Sequence, residues 1–199
     1  MSQATAAKAS PVKPPRFQEL YDQNIVPVLL KSLQRTNRLA IPRLSKIVLN
    51  IGCGEAAHDA KVLEEVQRDL AFITGQRPAV TRAKKAISNF KIQANDPVGC
   101  KVTLRKRHMY EFLHRLVSVA LPRIRDFRGL SLKGFDQQGN YSFGLQELTV
   151  FPELRLDEVH YALGMDVTIV TTARTPEEAK TLLLGFGMPF EKPHEREKT

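Results

Sequence analysis

Apolar residues recur along this chain with two spacings, and each spacing predicts one kind of element. At 46–51 they alternate, so that Ile47, Leu49 and Ile51 face one side, which is typical of a strand with one buried face. Similar short runs predict an extended segment at 76–81 and strands at 90–93, 98–105, 143–150 and 166–172. We expect the second and third of these segments to form a hairpin through the turn-forming residues at 94–97.

Helices are predicted where apolar residues recur every three or four positions. The segments with this spacing are 17–33, 59–74, 109–121 and 175–186. Pro27 is expected to kink or split the first helix, and Pro122 to end the third. The last helix has the clearest start, because residues 175–178 form a capping box with Pro176 at the first helical position.

The order of these elements predicts the fold class. Helices and strands interleave and one hairpin is clear, which favours an α+β domain of two layers, with a mostly antiparallel sheet and helices on one face. The other sheet face would stay free to bind a partner. The domain is expected over 16–190, between a disordered basic N-terminal tail at 1–15 and a charged C-terminal tail at 191–199.

Positive charge is concentrated in one stretch of the sequence. The chain has a formal net charge of +9, and residues 77–107 alone carry +8, from nine lysines and arginines and the single acid Asp96. Cations without acidic neighbours repel one another unless an anionic partner lies against them. Phosphate backbone is the commonest such partner, so the charge pattern predicts nucleic-acid binding.

The sequence gives little support for an enzyme, a metal site or a membrane protein. No apolar run approaches the roughly 20 residues of a membrane helix, and the five histidines and two cysteines lack metal-ligand spacing. Cys53 and Cys100 are expected to be buried thiols. The segment 51–57 loosely matches a dinucleotide fingerprint, but lacks the acid at the end of the following strand. We therefore expect no cofactor, with a dinucleotide-dependent enzyme as an alternative.

Three groups of polar residues are candidates for RNA contact. The segment 81–91 holds four cations among small and hydroxyl-bearing residues and no acid, whereas a solvated helix face would normally include glutamate. In 121–129 three arginines are spaced by apolar residues, and either a partner contact or a salt-bridged corner with Asp126 would explain them. Polar residues within or beside strands, which are either solvated or read an RNA minor groove, are Asn50, Gln76 and Thr103.

Several long runs resemble one protein family. They are KIVLNIGCGEA, ITGQRPAVTRAKKAISNFKI, GCKVTLRKRHMYEFL, LPRIRDFRGLS, FDQQGNYSFG, GMDVTIVTTA and GFGMPF. Together they resemble the bacterial form of the ribosomal protein L5 family, over about residues 16–190. The resemblance implies a non-enzymatic constituent of the large subunit of cytoplasmic ribosomes, which binds 5S rRNA and attaches it to the central protuberance.

The resemblance also implies roles for individual residues. A concave sheet face and the N-terminal helix would grip 5S rRNA, through Lys46, Asn50, Gln76, Lys101, Thr103 and Arg105. The basic loop would contact transfer RNA in the peptidyl site, through Arg82, Lys84, Lys85, Ser88 and Asn89. A bridge to the small-subunit head protein S13 is expected at 128–140 and 155–164, with Arg128, Lys133, Asp136 and Asn140. Further expected partners are 23S rRNA and other 5S-associated large-subunit proteins, with no membrane contact.

The sequence departs from the family pattern at two places. The family usually has glycine where Asn89 stands, and this change is expected to stiffen the loop. The family's FDGRGNY is FDQQGNY here, so Gln137 and Gln138 replace a glycine and a cation, which weakens the case for a contact there. An RNA-binding module outside the ribosome is the other alternative, and it would bind 5S rRNA no more tightly than other RNAs.

Overall fold

Five strands form one sheet within residues 13–54, 60–154 and 163–191, the part of the chain described by the computed structural model. The strands are β1 (Leu44–Gly52), β2 (Ala79–Arg82), β3 (Pro97–Leu104), β4 (Tyr141–Leu145) and β5 (Met165–Thr171). Across the sheet they follow the order β2-β3-β1-β5-β4, and each neighbouring pair is antiparallel. The strands expected at 46–51, 98–105 and 166–172 are confirmed, with slightly shifted ends.

In the described part of the chain four helices accompany this sheet, and two of them contain a π-helical turn. Helix α1 consists of Arg16–Leu20, the π turn Tyr21–Ile25 and Val26–Ser32; α2 is Ala60–Thr74; α3 consists of Lys106–Arg115, the π turn Leu116–Ala120 and Leu121–Arg123; α4 is Pro176–Gly185. They confirm the four helices expected from the apolar spacing. Some residues of the expected elements lie outside the described residues. They are most of the two expected tails (1–12 and 192–199), part of the dinucleotide-like segment (55–57), Asp59 and residues 155–162.

The helices cover one face of the sheet and leave the other face uncovered. In β1 the side chains of Ile47, Leu49 and Ile51 are fully buried, whereas the alternating Val48 and Asn50 are only half-buried. The buried side belongs to a single apolar core that includes residues of all four helices, among them Leu29, Leu70, Leu113 and Leu182. The α+β fold class, with an antiparallel sheet and helices on one face, is therefore confirmed.

Helices α1 and α3 each contain a proline in their interior and continue past it through a wider turn. The carbonyls that the rings of Pro27 and Pro122 would meet in an α-helix belong to Gln23 and Ser118, four residues earlier. Each of these residues lies within a π-helical turn, which makes room for the ring. The π turn before Pro27 thus interrupts the α-helical pattern of α1 without splitting the helix. The expectation that Pro122 ends α3 is wrong, because that helix continues to Arg123.

The hairpin partner of β3 differs from the expected one. The segment 90–93 is not a strand: Phe90 ends the 3₁₀ turn Ser88–Phe90, and Lys91 has a left-handed φ of 53°. Instead β3 pairs with β2, where Val80 lies opposite the buried Cys100. Residues 94–97 do contain a turn, but it closes the long loop between β2 and β3. The turn expected at 94–97 is therefore confirmed, whereas the strand expected to pair with β3 is wrong.

The strand expected at 143–150 is wrong in its second half. Strand β4 ends at Leu145, and the following Leu148–Val150 form a 3₁₀ turn. Leu148 and Val150 are nevertheless buried. An apolar run that bends through a tight turn into the core therefore gives the same sequence signal as a longer strand.

Candidate RNA-binding surfaces

The uncovered sheet face brings four of the expected 5S-binding residues together. Asn50 of β1 is paired in register with Lys101 of β3, and Val48 is paired with Thr103. Directly paired residues in an antiparallel sheet point to the same face, and Lys46 shares this face because it lies two residues before Val48. A half-sheet formed by β2, β3 and β1 therefore presents two cations, an amide and a hydroxyl to the outside.

Gln76 and Arg105 lie beside this half-sheet. Gly75, with a left-handed φ of 66°, ends α2, and the hydroxyl of Thr74 donates to the Gln76 carbonyl at 3.0 Å. This bond fixes the backbone of Gln76 and leaves its side chain exposed, three residues before β2 begins. Arg105 is exposed between the end of β3 and the start of α3. All six expected 5S-binding residues thus lie on or next to one half of the sheet.

The other half of the uncovered face has a different character. Asp166 of β5 is exposed and paired with Asn50 across the β1–β5 boundary. Further along, the hydroxyl of Ser142 donates to that of Thr168 at 3.1 Å. On this face β5 therefore contributes an acid, whereas β1 and β3 contribute lysines. The sequence did not single out Asp166 and Thr168, although the alternating burial of β5 places both on the uncovered side.

The basic loop between β2 and β3 is held by backbone hydrogen bonds at two levels. Near its base, the Ala83 N–H donates to the Asp96 carbonyl and the Asn95 N–H donates to the Ala83 carbonyl, both at 2.9 Å. Further out, Ile87 and Ile92 exchange two hydrogen bonds of 2.9 and 3.2 Å. The loop is consequently an ordered projection from the sheet.

Most of the loop's charge is directed outward and not neutralised within the molecule. Lys84 and Lys85 are exposed, and among the ion pairs of the described residues none includes either of them. Arg82 donates to the Asn95 carbonyl at 2.8 Å. The stretch's one acid, Asp96, accepts from the Gln93 N–H at 2.7 Å and so stabilises the turn. Ser88 and Asn89 are exposed in the 3₁₀ turn at the tip.

The arginines of 121–129 gain little support from an internal ion pair. Arg125 lies 4.0 Å from Asp126, and their side chains are 97% and 89% exposed. An ion pair this exposed and this long contributes almost nothing to stability. Arg123 and Arg128 are exposed as well. The salt-bridged corner is therefore the weaker of the two interpretations, and a partner contact is the stronger.

Two of the expected bridge residues stabilise their own loop. The carboxylate of Asp136 accepts from the Gln138 N–H at 3.0 Å, the Asn140 N–H at 2.6 Å and the Asn140 side-chain amide at 2.7 Å. Slight burial acts to raise the pKa of Asp136, but these hydrogen bonds outweigh it, so the pKa is lowered. The Asn140 side-chain oxygen accepts from the Thr171 N–H at 3.2 Å. The other two expected residues, Arg128 and Lys133, are exposed.

Cys53 and Cys100 are buried thiols, as expected. Burial, together with the neighbouring Cys53, raises the pKa of Cys100 to about 11, so this thiol stays protonated at neutral pH. Within the described ranges no group of three or more histidine, cysteine, aspartate or glutamate side chains could hold a metal ion. No described helix is long and apolar enough to span a membrane.

Comparison with known proteins identifies the family. A model described as Ribosomal protein L5 matches residues 37–93, and a second model, which describes the C-terminus of the same ribosomal family, matches 97–190. The large ribosomal subunit protein uL5 of Clostridium tetani is 53% identical over 176 residues, which cover 88% of this chain and 98% of the relative. That of Symbiobacterium thermophilum is 56% identical over 170 residues, 85% of this chain and 94% of the relative. The chain belongs to the ribosomal protein L5 family.

Membership of the ribosomal protein L5 family decides the class of function. The relatives are named as proteins of the large ribosomal subunit, so this chain is a ribosomal structural protein and not an enzyme. The β2–β3–β1 half-sheet combines both matched regions, since Asn50 and Gln76 lie in the first and Lys101 and Thr103 in the second. The surface is therefore complete only when both parts of the family sequence fold together.

Proposed function

We propose that this protein attaches 5S rRNA to the large ribosomal subunit through the β2–β3–β1 half-sheet. The observation that carries the proposal is the register of β1 and β3, which places Asn50 beside Lys101 and Thr103 on the uncovered face. Lysines supply attraction to phosphate, while amide and hydroxyl groups can hydrogen-bond ribose hydroxyls and base edges in the shallow minor groove of RNA. Lys46, Gln76 and Arg105 extend this surface at its margins.

A salt titration tests whether this face recognises 5S rRNA or only polyanions. We expect the full chain to prefer 5S rRNA over a structured RNA of similar length, and the preference to persist as salt is raised. Phosphate contacts alone weaken steeply with salt and are the same for every sequence. Equal affinities for the two RNAs, which fall together as salt is raised, would contradict the proposal.

We propose further that the basic loop contacts transfer RNA in the peptidyl site. Its support is the ordered projection of the loop and the exposure of Lys84 and Lys85 at its outer part. Arg82 stabilises the base of the loop, and Ser88 and Asn89 offer polar groups at the tip. A rigid loop loses little entropy on binding, which suits repeated short contacts with successive transfer RNAs.

Replacing Lys84 and Lys85 together by glutamine should weaken transfer RNA binding and spare 5S rRNA binding. Each phosphate contact contributes about 0.7–0.9 to the slope of log affinity against log salt, so the slope should fall by roughly 1.5. Filter binding with both RNAs at several salt concentrations measures this. The matched control replaces Lys61 of α2 and Lys180 of α4, which lie outside both proposed RNA-binding surfaces, by glutamine. A loss of 5S rRNA binding in the loop variant would assign the loop to the wrong RNA.

For the bridge to the small-subunit protein S13, we propose the surface around 128–140. Arg128 and Lys133 are its exposed cations, and the hydrogen bonds of Asp136 and Asn140 hold the loop beside them. In this proposal the two polar residues act through the loop's shape, and the two cations make the contact.

A further inference from the structure

The tip of the basic loop carries an exposed aromatic ring. Phe90 is 68% exposed and Ile87 48% exposed. Isolated apolar side chains are common on protein surfaces, but this ring lies within a cationic segment, between Lys84, Lys85 and Lys91. Phosphate attraction requires no aromatic group, so the cations alone leave the ring unexplained.

The backbone fixes the position of this ring. The Phe90 N–H donates to the Ile87 carbonyl at 3.2 Å, and the Lys91 N–H donates to the Ser88 carbonyl at 3.0 Å. The two hydrogen bonds between Ile87 and Ile92 close the turn behind it. The ring is therefore presented on an ordered turn and does not rely on packing to hold its place.

We propose that Phe90 is a stacking platform for a nucleobase of the transfer RNA that the loop contacts. This inference deepens the proposed function and rests on it. An aromatic face stacks on any base, and flanking cations hold the adjacent phosphates. A protein partner fits less well, because the residues next to Phe90 are Asn89 and Lys91, and docking sites for proteins need a wider apolar patch.

A tryptophan in place of Phe90 gives a direct readout, because the chain has no tryptophan of its own. We expect transfer RNA to quench the emission of the full-length Phe90→Trp variant by about half or more, as an indole stacked on a base does. Leu184→Trp is the matched control, since Leu184 is 49% exposed on α4, outside the loop. Its emission should change little in the same titration.

Affinity separates stacking from a structural effect. Phe90→Ala should weaken transfer RNA binding by about five-fold or more, as expected for the loss of one base–aromatic stack. Phe90→Tyr should retain it, and the salt slope of both should match that of the unaltered chain, because no charge is lost. Quenching confined to Phe90→Trp, with this order of affinities, supports the inference.

Two outcomes overturn the inference and are distinguishable from each other. If transfer RNA binds the Phe90→Trp variant without changing its emission, Phe90 does not stack on a base, and the proposed loop contact stays intact. If the unaltered chain binds 5S rRNA but not transfer RNA, both the loop contact and the stacking by Phe90 are wrong.

Discussion

Replacing Gly99 by alanine should destabilise the fold by about 3 kcal/mol, the upper part of the range for overpacked sites. A Cβ at this position would overlap the Ile51 carbonyl oxygen and lie 3.1 Å from the Thr81 hydroxyl. The first of these atoms is backbone of the adjacent strand and cannot rotate away. The methyl group would therefore push β1 and β3 apart at the end of β1. Urea unfolding followed by circular dichroism measures the loss.

The register partner of Gly99 provides the control. Gly52 is paired directly with Gly99, yet a Cβ built on Gly52 would meet nothing within 4 Å. Gly52→Ala should thus stay within about 0.5 kcal/mol of the unaltered chain, as surface substitutions usually do. If Gly99→Ala were as stable as Gly52→Ala, the close approach of β1 and β3 at this point would be wrong.

This pair of glycines also bears on the dinucleotide alternative. The motif at 51–57 is similar to a nucleotide-binding turn because its glycines, Gly52 and Gly54, follow a predicted strand. In the structure Gly52 is the last residue of β1, in an antiparallel sheet, whereas the motif belongs to parallel sheets. Of the register pair Gly52 and Gly99, the glycine that the fold requires is Gly99, which lies outside that motif. Position 99 needs a glycine because the neighbouring strand β1 approaches it closely, and the residues beside it in the sequence do not show this.

Periodicity predicted most of the fold because burial on one side imposes it. The alternation in β1 and the helical spacing of α2 and α4 led directly to elements that the structure confirms. The hairpin was misassigned because strand pairing depends on which segment finds a partner strand, and that choice is made at long range. Val80 is paired with Cys100, while the more strand-like Phe90 and Ile92 lie in the loop.

The candidate site could be predicted only in part for a related reason. Charge counting located the basic loop, and polar residues within apolar runs located Asn50 and Thr103. Register across strands, which no local pattern records, places Asp166 opposite Asn50 on the same face. For the same reason the sequence does not reveal the structural role of Asp136 and Asn140, which the resemblance places at the bridge. Their hydrogen bonds within the 136–140 loop and to β5 become visible only in three dimensions.

Truncation of the polar residues on the β2–β3–β1 half-sheet should weaken 5S rRNA binding in proportion to the groups removed. Asn50→Ala, Gln76→Ala and Thr103→Ala should each cost about 1 kcal/mol or more, the loss of one hydrogen bond in an interface. This is roughly a five-fold loss of affinity each, and the triple variant should lose about 100-fold or more. Filter binding to 5S rRNA, with circular dichroism to confirm the fold, measures both.

A control variant for this test is available on the same face of the sheet. Thr168 is, like Thr103, a half-buried threonine on the uncovered side, but it belongs to β5. Thr168→Ala removes the same groups and should leave 5S rRNA affinity nearly unchanged, because the Thr168 hydroxyl already accepts a hydrogen bond from that of Ser142 and β5 carries no lysine. Equal losses for Thr103→Ala and Thr168→Ala would spread the site over the whole face. Unchanged affinity in Asn50→Ala, Gln76→Ala and Thr103→Ala alike would move the 5S rRNA site away from this half-sheet altogether.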